Sequence, residues 1–168
     1  EISLSKVKMD FFNRIVIDDL YIKDLKNDTL LYTSEVDLGF DIMELLAIEL
    51  KVQSVCLTEP LINLQKENDE FNFNFLVEYF SPADTSKESN INISLDHIEI
   101  IDGQVNVEDL SSSENKDGFD KDHLNVEDLD FYMNGFSINS GIVRAHYIKL
   151  SLKEKDLVID NLSTSLAI

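Results

Sequence analysis

Apolar side chains recur along this chain at a spacing of two, then three, then two. The pattern apolar-x-apolar-x-x-apolar-x-apolar occurs at Ile15/Ile17/Leu20/Ile22, Leu50/Val52/Val55/Leu57, Ile93/Leu95/Ile98/Ile100 and Leu124/Val126/Leu129/Phe131. A weaker copy, with Thr164 in the last place, is Leu157/Ile159/Leu162/Thr164. A period of two belongs to strands with one dry face, so the chain predicts a mainly β fold. The central x-x step has its own content. Strict alternation would send Ile15 and Ile17 to one face and Leu20 and Ile22 to the other. One extra residue, taken up as a β-bulge, returns all four to one face and bends the strand. Long strands bent at equivalent places would curl a sheet into a groove, although ordinary sandwich strands with bulges would carry the same pattern.

The second and third copies extend further at one constant offset. Pro60 corresponds to Gly103, and Leu61-Ile62-Asn63-Leu64 then aligns with Gln104-Val105-Asn106-Val107. Repeats about 30 to 45 residues apart point to a quasi-one-dimensional stack of strands. Residues 1–168 therefore read as one segment of a longer repetitive β structure.

Turns fall largely to Asn and Asp, which tolerate left-handed backbone, because the chain has only 5 Gly and 2 Pro. Asn27-Asp28, Asn68-Asp69, Asp102-Gly103 and Asn139-Ser140-Gly141 punctuate it in this way. Asp102-Gly103, between Ile100-Ile101 and Val105, is the strongest hairpin signal. Two stretches break the strand period. Asp41 heads Ile42-Met43-Glu44-Leu45-Leu46 as an N-cap candidate. Phe75, Leu76, Tyr79 and Phe80 share one helical face before Ser81-Pro82. A short helix is expected at each, the second over roughly 74–80. Residues 81–89 and 111–121 read as polar loops.

Composition narrows the chemistry. With 33 acidic against 14 basic side chains the formal charge is −19, which argues against nucleic acid and against docking on an anionic bilayer surface. One cysteine, Cys56, excludes an internal disulfide framework and a multi-Cys zinc site. The sequence has no stretch of 18 consecutive apolar residues that would read as a membrane span. The opening Glu-Ile-Ser, without an initiator Met, reads as a piece of a longer protein or a processed chain.

No catalytic constellation stands out, and the chain reads as non-enzymatic with no cofactor. Carboxylates are so frequent that pairs such as Asp18/Asp19 or Asp128/Asp130 are expected by chance. His97, His123 and His146 lie far apart and lack a two-His metal spacing. Cys56 alternates with Val55 and Leu57 and should point away from their face. Asp117-Gly118-Phe119-Asp120-Lys121-Asp122 offers oxygen ligands but departs from the calcium-loop pattern in its Gly placement and missing distal Glu. The aromatic run Phe71 to Phe80 reads as a packed plug over the local sheet, with lipid contact as the alternative.

The run Phe11-Phe12-Asn13-Arg14-Ile15-Val16-Ile17-Asp18-Asp19-Leu20-Tyr21-Ile22-Lys23-Asp24, with Asp28-Thr29-Leu30-Leu31-Tyr32, resembles the N-terminal region of TamB-like proteins of the AsmA superfamily, in their Bacteroidetes-type form. So do Val36-Asp37-Leu38 with Leu45-Leu46, Val55-Cys56-Leu57-Thr58-Glu59-Pro60-Leu61-Ile62-Asn63-Leu64, and Phe71-Asn72-Phe73-Asn74-Phe75-Leu76. The resemblance covers residues 9 to 110 and rests on the order of several weak motifs. It implies a β-taco, a curled sheet enclosing an apolar groove. It also implies a long periplasmic protein anchored in the bacterial inner membrane by an N-terminal helix outside this sequence. Its groove would carry phospholipid acyl chains toward the outer membrane, and other parts of the parent chain would engage an Omp85-type barrel. The groove-lining candidates are the repeated positions Ile15, Ile17, Leu20, Ile22, Leu50, Val52, Val55, Leu57, Ile93, Leu95, Ile98 and Ile100. A non-catalytic protein-binding β-repeat scaffold, assisting outer-membrane protein assembly or secretion, is the alternative. A hydrolase would instead need two carboxylates converging in a cleft.

Overall fold

The computed structural model describes residues 1–10, 13–40, 52–76, 93–114, 119–139, 142–154 and 157–167. Eleven strands account for most of them: β1 (Ile2–Ser3), β2 (Lys6–Asp10), β3 (Arg14–Lys23), β4 (Thr29–Phe40), β5 (Val52–Thr58), β6 (Leu61–Glu67), β7 (Glu70–Phe71), β8 (Ile93–Asp109), β9 (His123–Asn139), β10 (Ile142–Glu154) and β11 (Leu157–Ala167). They form one mixed sheet in the order β1-β3-β4-β5-β8-β9-β10-β11. β2 also pairs with β3, and β6 lies between β4 and β8 with β7 beside it. β8 runs parallel to β5 and β6; every other pairing is antiparallel.

All the substantial contacts between elements run between hydrogen-bonded neighbours. The described strands are thus a single layer, and burial reflects it. Among the described residues Leu30, Val36, Phe40, Leu129 and Ala145 are the buried hydrophobic ones, and most other apolar side chains are only half-buried. Of the two expected helices, the first lies outside the described residues. The second shows one helical turn at 74–76, with the rest outside.

The constant offset in the sequence is the parallel register itself. Val55 lies opposite Ile98 and Leu57 opposite Ile100, and Leu61 and Ile62 lie opposite Gln104 and Val105. Repeats related by one offset settle side by side because most apolar positions, among them Val55, Leu57, Ile62 and Leu64, then find an apolar neighbour. Gln104 N–H donates to the Pro60 carbonyl at 2.7 Å and Glu59 N–H to the Ile101 carbonyl at 2.8 Å, carrying the ladder across the break between β5 and β6.

Asp102-Gly103 does not make the hairpin its sequence suggests. β8 runs straight through it, and Asp102 takes φ 52°. Partners on both sides outweigh the local turn preference: β5 and β6 flank β8 on one edge and β9 on the other. Asn27, Asn68 and Asp69 do serve as left-handed turn residues, at φ 70°, 52° and 66°.

The x-x steps are accommodated in two ways. Three of them are bulges. Val52 and Ser54 face Phe40 and Gly39, leaving Gln53 extra. Val126 and Leu129 face Val105 and Gly103, leaving one surplus residue at Glu127-Asp128. Ile159 and Leu162 face Leu152 and Leu150, leaving another at Asp160-Asn161. At Asp18-Asp19 and at Asp96-His97 the expected bulge is absent. Asp18 and Leu20 pair with Glu35 and Thr33, and Leu95 and His97 with Phe136 and Asn134, without a register shift. In both cases the neighbouring strand makes the same step, at Ser34-Glu35 and at Asn134-Gly135, so neither strand holds a surplus residue.

Candidate functional site: an apolar face of continuous cross-strand rows

Cross-strand partners point to the same face of a sheet, so the register can be read as rows. One row runs Val7, Ile17, Val36, Leu57, Ile100, Phe131, Leu150, Leu162, without a polar member across eight strands. The row two residues away runs Met9, Ile15, Leu38, Val55, Ile98, Met133, Ile148, Thr164. With strands about 4.8 Å apart, each row is roughly 34 Å long. Val36 at the centre is 4% exposed, while Val7 and Leu162 at the two ends are 55% and 48% exposed.

Four acidic residues bound these rows on one side. Asp19, Glu59, Asp102 and Asp128 all adopt left-handed backbone, at φ 52°, 49°, 52° and 51°. The register places them in line across β3, the β5–β6 junction, β8 and β9, because Glu35 pairs with Asp18 and Thr58, Thr58 with Ile101, and Gly103 with Leu129. Beyond this seam the same face continues. A Cβ built on Gly103 would lie 2.7 Å from Ile100 Cγ2 and 3.2 Å from Pro60 Cγ, so Gly103 and Ile100 share a face although three positions apart. Thr33 and Pro60, the largest fully buried side chains among the described residues, lie along the seam, where Gly103 and Leu129 are buried as well. Asp19 is held by Ser5 Oγ at 2.9 Å and by the Tyr32 hydroxyl at 3.1 Å; that bond is the main reason the Tyr32 pKa is raised.

Past the seam, Ile2, Ile22, Leu31, Ile62, Val105 and Val126 make a further row. Leu64, Val107 and Leu124 make another. On the far side of the first two rows, Phe40 pairs with Val52 and Leu95 with Phe136. The opposite face is largely polar: Lys8, Val16, Asp37, Cys56, Glu99, Tyr132 and Lys149 form its equivalent row. Arg14 pairs with Asp37 there, and His97 Nε2 lies 3.0 Å from Glu99. Burial, then Glu99 and Glu35, pushes the Cys56 thiol up.

Among the predicted positions, the structure brings Ile15, Ile17, Val55, Leu57, Ile98 and Ile100 into the first two rows. It puts Leu20 opposite Thr33 at the seam, Ile22 beyond it, and Val52 and Leu95 on the far side. Ile93 pairs with Ile138 through its backbone. Leu50 lies outside the described residues. The groove-lining candidates left out much of the face: Leu31/Thr33/Val36/Leu38 in β4, Phe131/Met133/Phe136 in β9 and Ala145/Ile148/Leu150 in β10, of which only Phe131 belongs to a repeat noted from the sequence. The same two-three-two spacing, completed in the sequence by Ile138 and Val143, marks each of them, with Thr and Ala in two of the apolar places.

Other chemistry is sparse among the described residues. No group of three or more His, Cys, Asp or Glu is placed to hold a metal ion there. Asp117 and Gly118 of the calcium-loop candidate lie outside them, and Asp120 is engaged by the Asp122 amide at 3.0 Å and by His123 Nδ1 at 3.0 Å. A hollow of about 510 Å³ is lined partly by Glu99, Asp130, Tyr132 and Lys149. Its two carboxylates are both engaged, Glu99 by His97 and Asp130 by the Asp102 amide at 3.0 Å. No described helix is long and apolar enough to cross a membrane. A scan against protein-family models matches none, and a comparison with curated proteins finds no match.

Proposed function

We propose that this chain shields phospholipid acyl chains along its apolar face, as a non-enzymatic segment of a TamB-like periplasmic protein anchored in the inner membrane. The observation that carries the reading is the first row, eight apolar residues from Val7 to Leu162 on a single-layered sheet. Contiguous apolar positions on one face of a single layer mark a ligand-binding or interaction surface. Acyl chains on it would leave water at about 0.8 kcal/mol per methylene. A row without polar members, as the first one is, gives neighbouring positions similar energies, so a chain can slide. The carboxylates of the other face keep the structure soluble.

Photocrosslinking in cells tests this, with the probe at Val55 and Ile98 and controls at Cys56 and Glu99 of the same strands. Phospholipid adducts confined to Val55 and Ile98 are expected. Adducts at none of the four, with the protein folded and in place, would sink the proposal. A protein-binding β-scaffold is the second reading. It is favoured by β2, a straight strand at the sheet edge whose Val7 and Met9 are 55% and 63% exposed, the kind of edge that accepts another strand.

A further inference from the structure

We infer that the apolar face accepts phospholipids of zero net charge, such as phosphatidylethanolamine, and disfavours anionic ones such as phosphatidylglycerol; this rests on the acyl-chain reading above. The argument is the placement of cations. Among the described residues, Lys6, Arg144 and Lys149 are the basic side chains without a carboxylate partner. All three belong to the polar face. Lys6 precedes Val7 of the first row, Lys149 lies between Ile148 and Leu150, and Arg144 precedes the inward-facing Ala145.

Lys66 is the exception in direction, and it is already neutralised. It follows Ile62 and Leu64 by strand alternation, so it stands at the end of the apolar face. Its Nζ lies 2.9 Å from Asp69 and 3.4 Å from Asp109, two carboxylates against one ammonium. The Ser111 amide, with Lys66 adding, holds the Asp109 carboxyl below its ordinary pKa, which keeps that carboxylate charged. A phosphodiester arriving here meets net negative charge and, among the described residues, no unpaired donor cation. The ammonium of phosphatidylethanolamine instead meets Asp69 and Asp109, while its phosphate charge is balanced within the same headgroup. The excess of 33 acidic over 14 basic residues sets a field of the same sign around the whole chain.

The full chain is incubated with vesicles of equimolar phosphatidylethanolamine and phosphatidylglycerol carrying identical acyl chains. It is then separated, and its bound lipid is quantified by mass spectrometry. In about 0.05 M salt the expected enrichment of phosphatidylethanolamine is roughly fivefold, falling toward one in about 0.5 M salt as the charges are screened. The pair Asp69→Asn and Asp109→Asn frees Lys66 and should shift the ratio at least about twofold toward phosphatidylglycerol. The pair Asp18→Asn and Asp37→Asn frees Lys8 and Arg14 on the opposite face for the same change in net charge, and should leave the ratio within that factor. Equal capture of both lipids at low salt, or an excess of phosphatidylglycerol, overturns the headgroup preference and leaves acyl shielding standing. Equal shifts in the two variants overturn the role of Lys66. Capture of neither lipid overturns shielding and the preference with it.

Discussion

Asn106 donates its side-chain amide to Oδ1 of Asn63 at 2.8 Å, across a separation of 43 residues. The same offset relates Val55 to Ile98 and Leu61 to Gln104. The bond is therefore a rung between equivalent positions of two adjacent repeats. Asn63 also donates to the Thr29 carbonyl at 3.0 Å and accepts at its own carbonyl from Asn72 at 3.1 Å. Oδ1 of Asn106 is buried with no partner among the described residues. A double-mutant cycle with Asn63→Ala and Asn106→Ala should return a coupling of about 0.5–1.5 kcal/mol in denaturant unfolding. Additive losses would show that the rung contributes nothing to pairing the repeats.

Gly103 has no room for a side chain. A Cβ would meet Ile100 Cγ2 at 2.7 Å, Pro60 Cγ at 3.2 Å and the Leu129 carbonyl at 3.4 Å. Gly103→Val should destabilise the chain by about 1–3 kcal/mol through overpacking. Ile100→Ala in the same background should recover part of that loss. A Gly103→Val chain with an unchanged denaturant midpoint would mean the seam is loosely packed.

Asp19 holds φ 52° within a strand, a conformation that β-branched residues resist. Asp19→Val adds that strain to the loss of its bonds to Ser5 and Tyr32, for an expected cost of about 2–3 kcal/mol. Asp19→Gly loses the bonds but not the conformation and should cost about 1 kcal/mol or less. Equal unfolding midpoints for the two variants would refute the role assigned to the left-handed seam.

The Cys56 thiol has its pKa raised by burial first and by Glu99 and Glu35 next. A group raised in the fold contributes stability that is fully present below its unfolded pKa and is lost as pH rises through the folded value. Wild type should therefore lose more stability than Cys56→Ser between about pH 7 and about pH 10. Alkylation of the native thiol near pH 8 should also be slower than that of the unfolded chain. Identical pH profiles for wild type and variant would remove the shift as a contributor to stability.

The β class, the repeated two-three-two spacing, the constant offset between repeats and the separation of Cys56 from Val55 and Leu57 were all legible in the sequence. Each depends only on side-chain alternation within a strand, which the covalent chain imposes locally. Asp102-Gly103 shows where that logic stops. Its turn preference is a local term, and β5, β6 and β9 outweigh it by offering partners to both edges of β8. Whether an x-x step becomes a bulge was likewise not readable from one strand. Gln53 is surplus opposite Gly39-Phe40, whereas Asp18-Asp19 is matched by Ser34-Glu35, and the difference lies in the neighbour. Only tertiary pairing decided which apolar residues meet in one row, how far that row runs and which cations face away from it. Those are properties of register, and register is a relation between strands that no single strand contains.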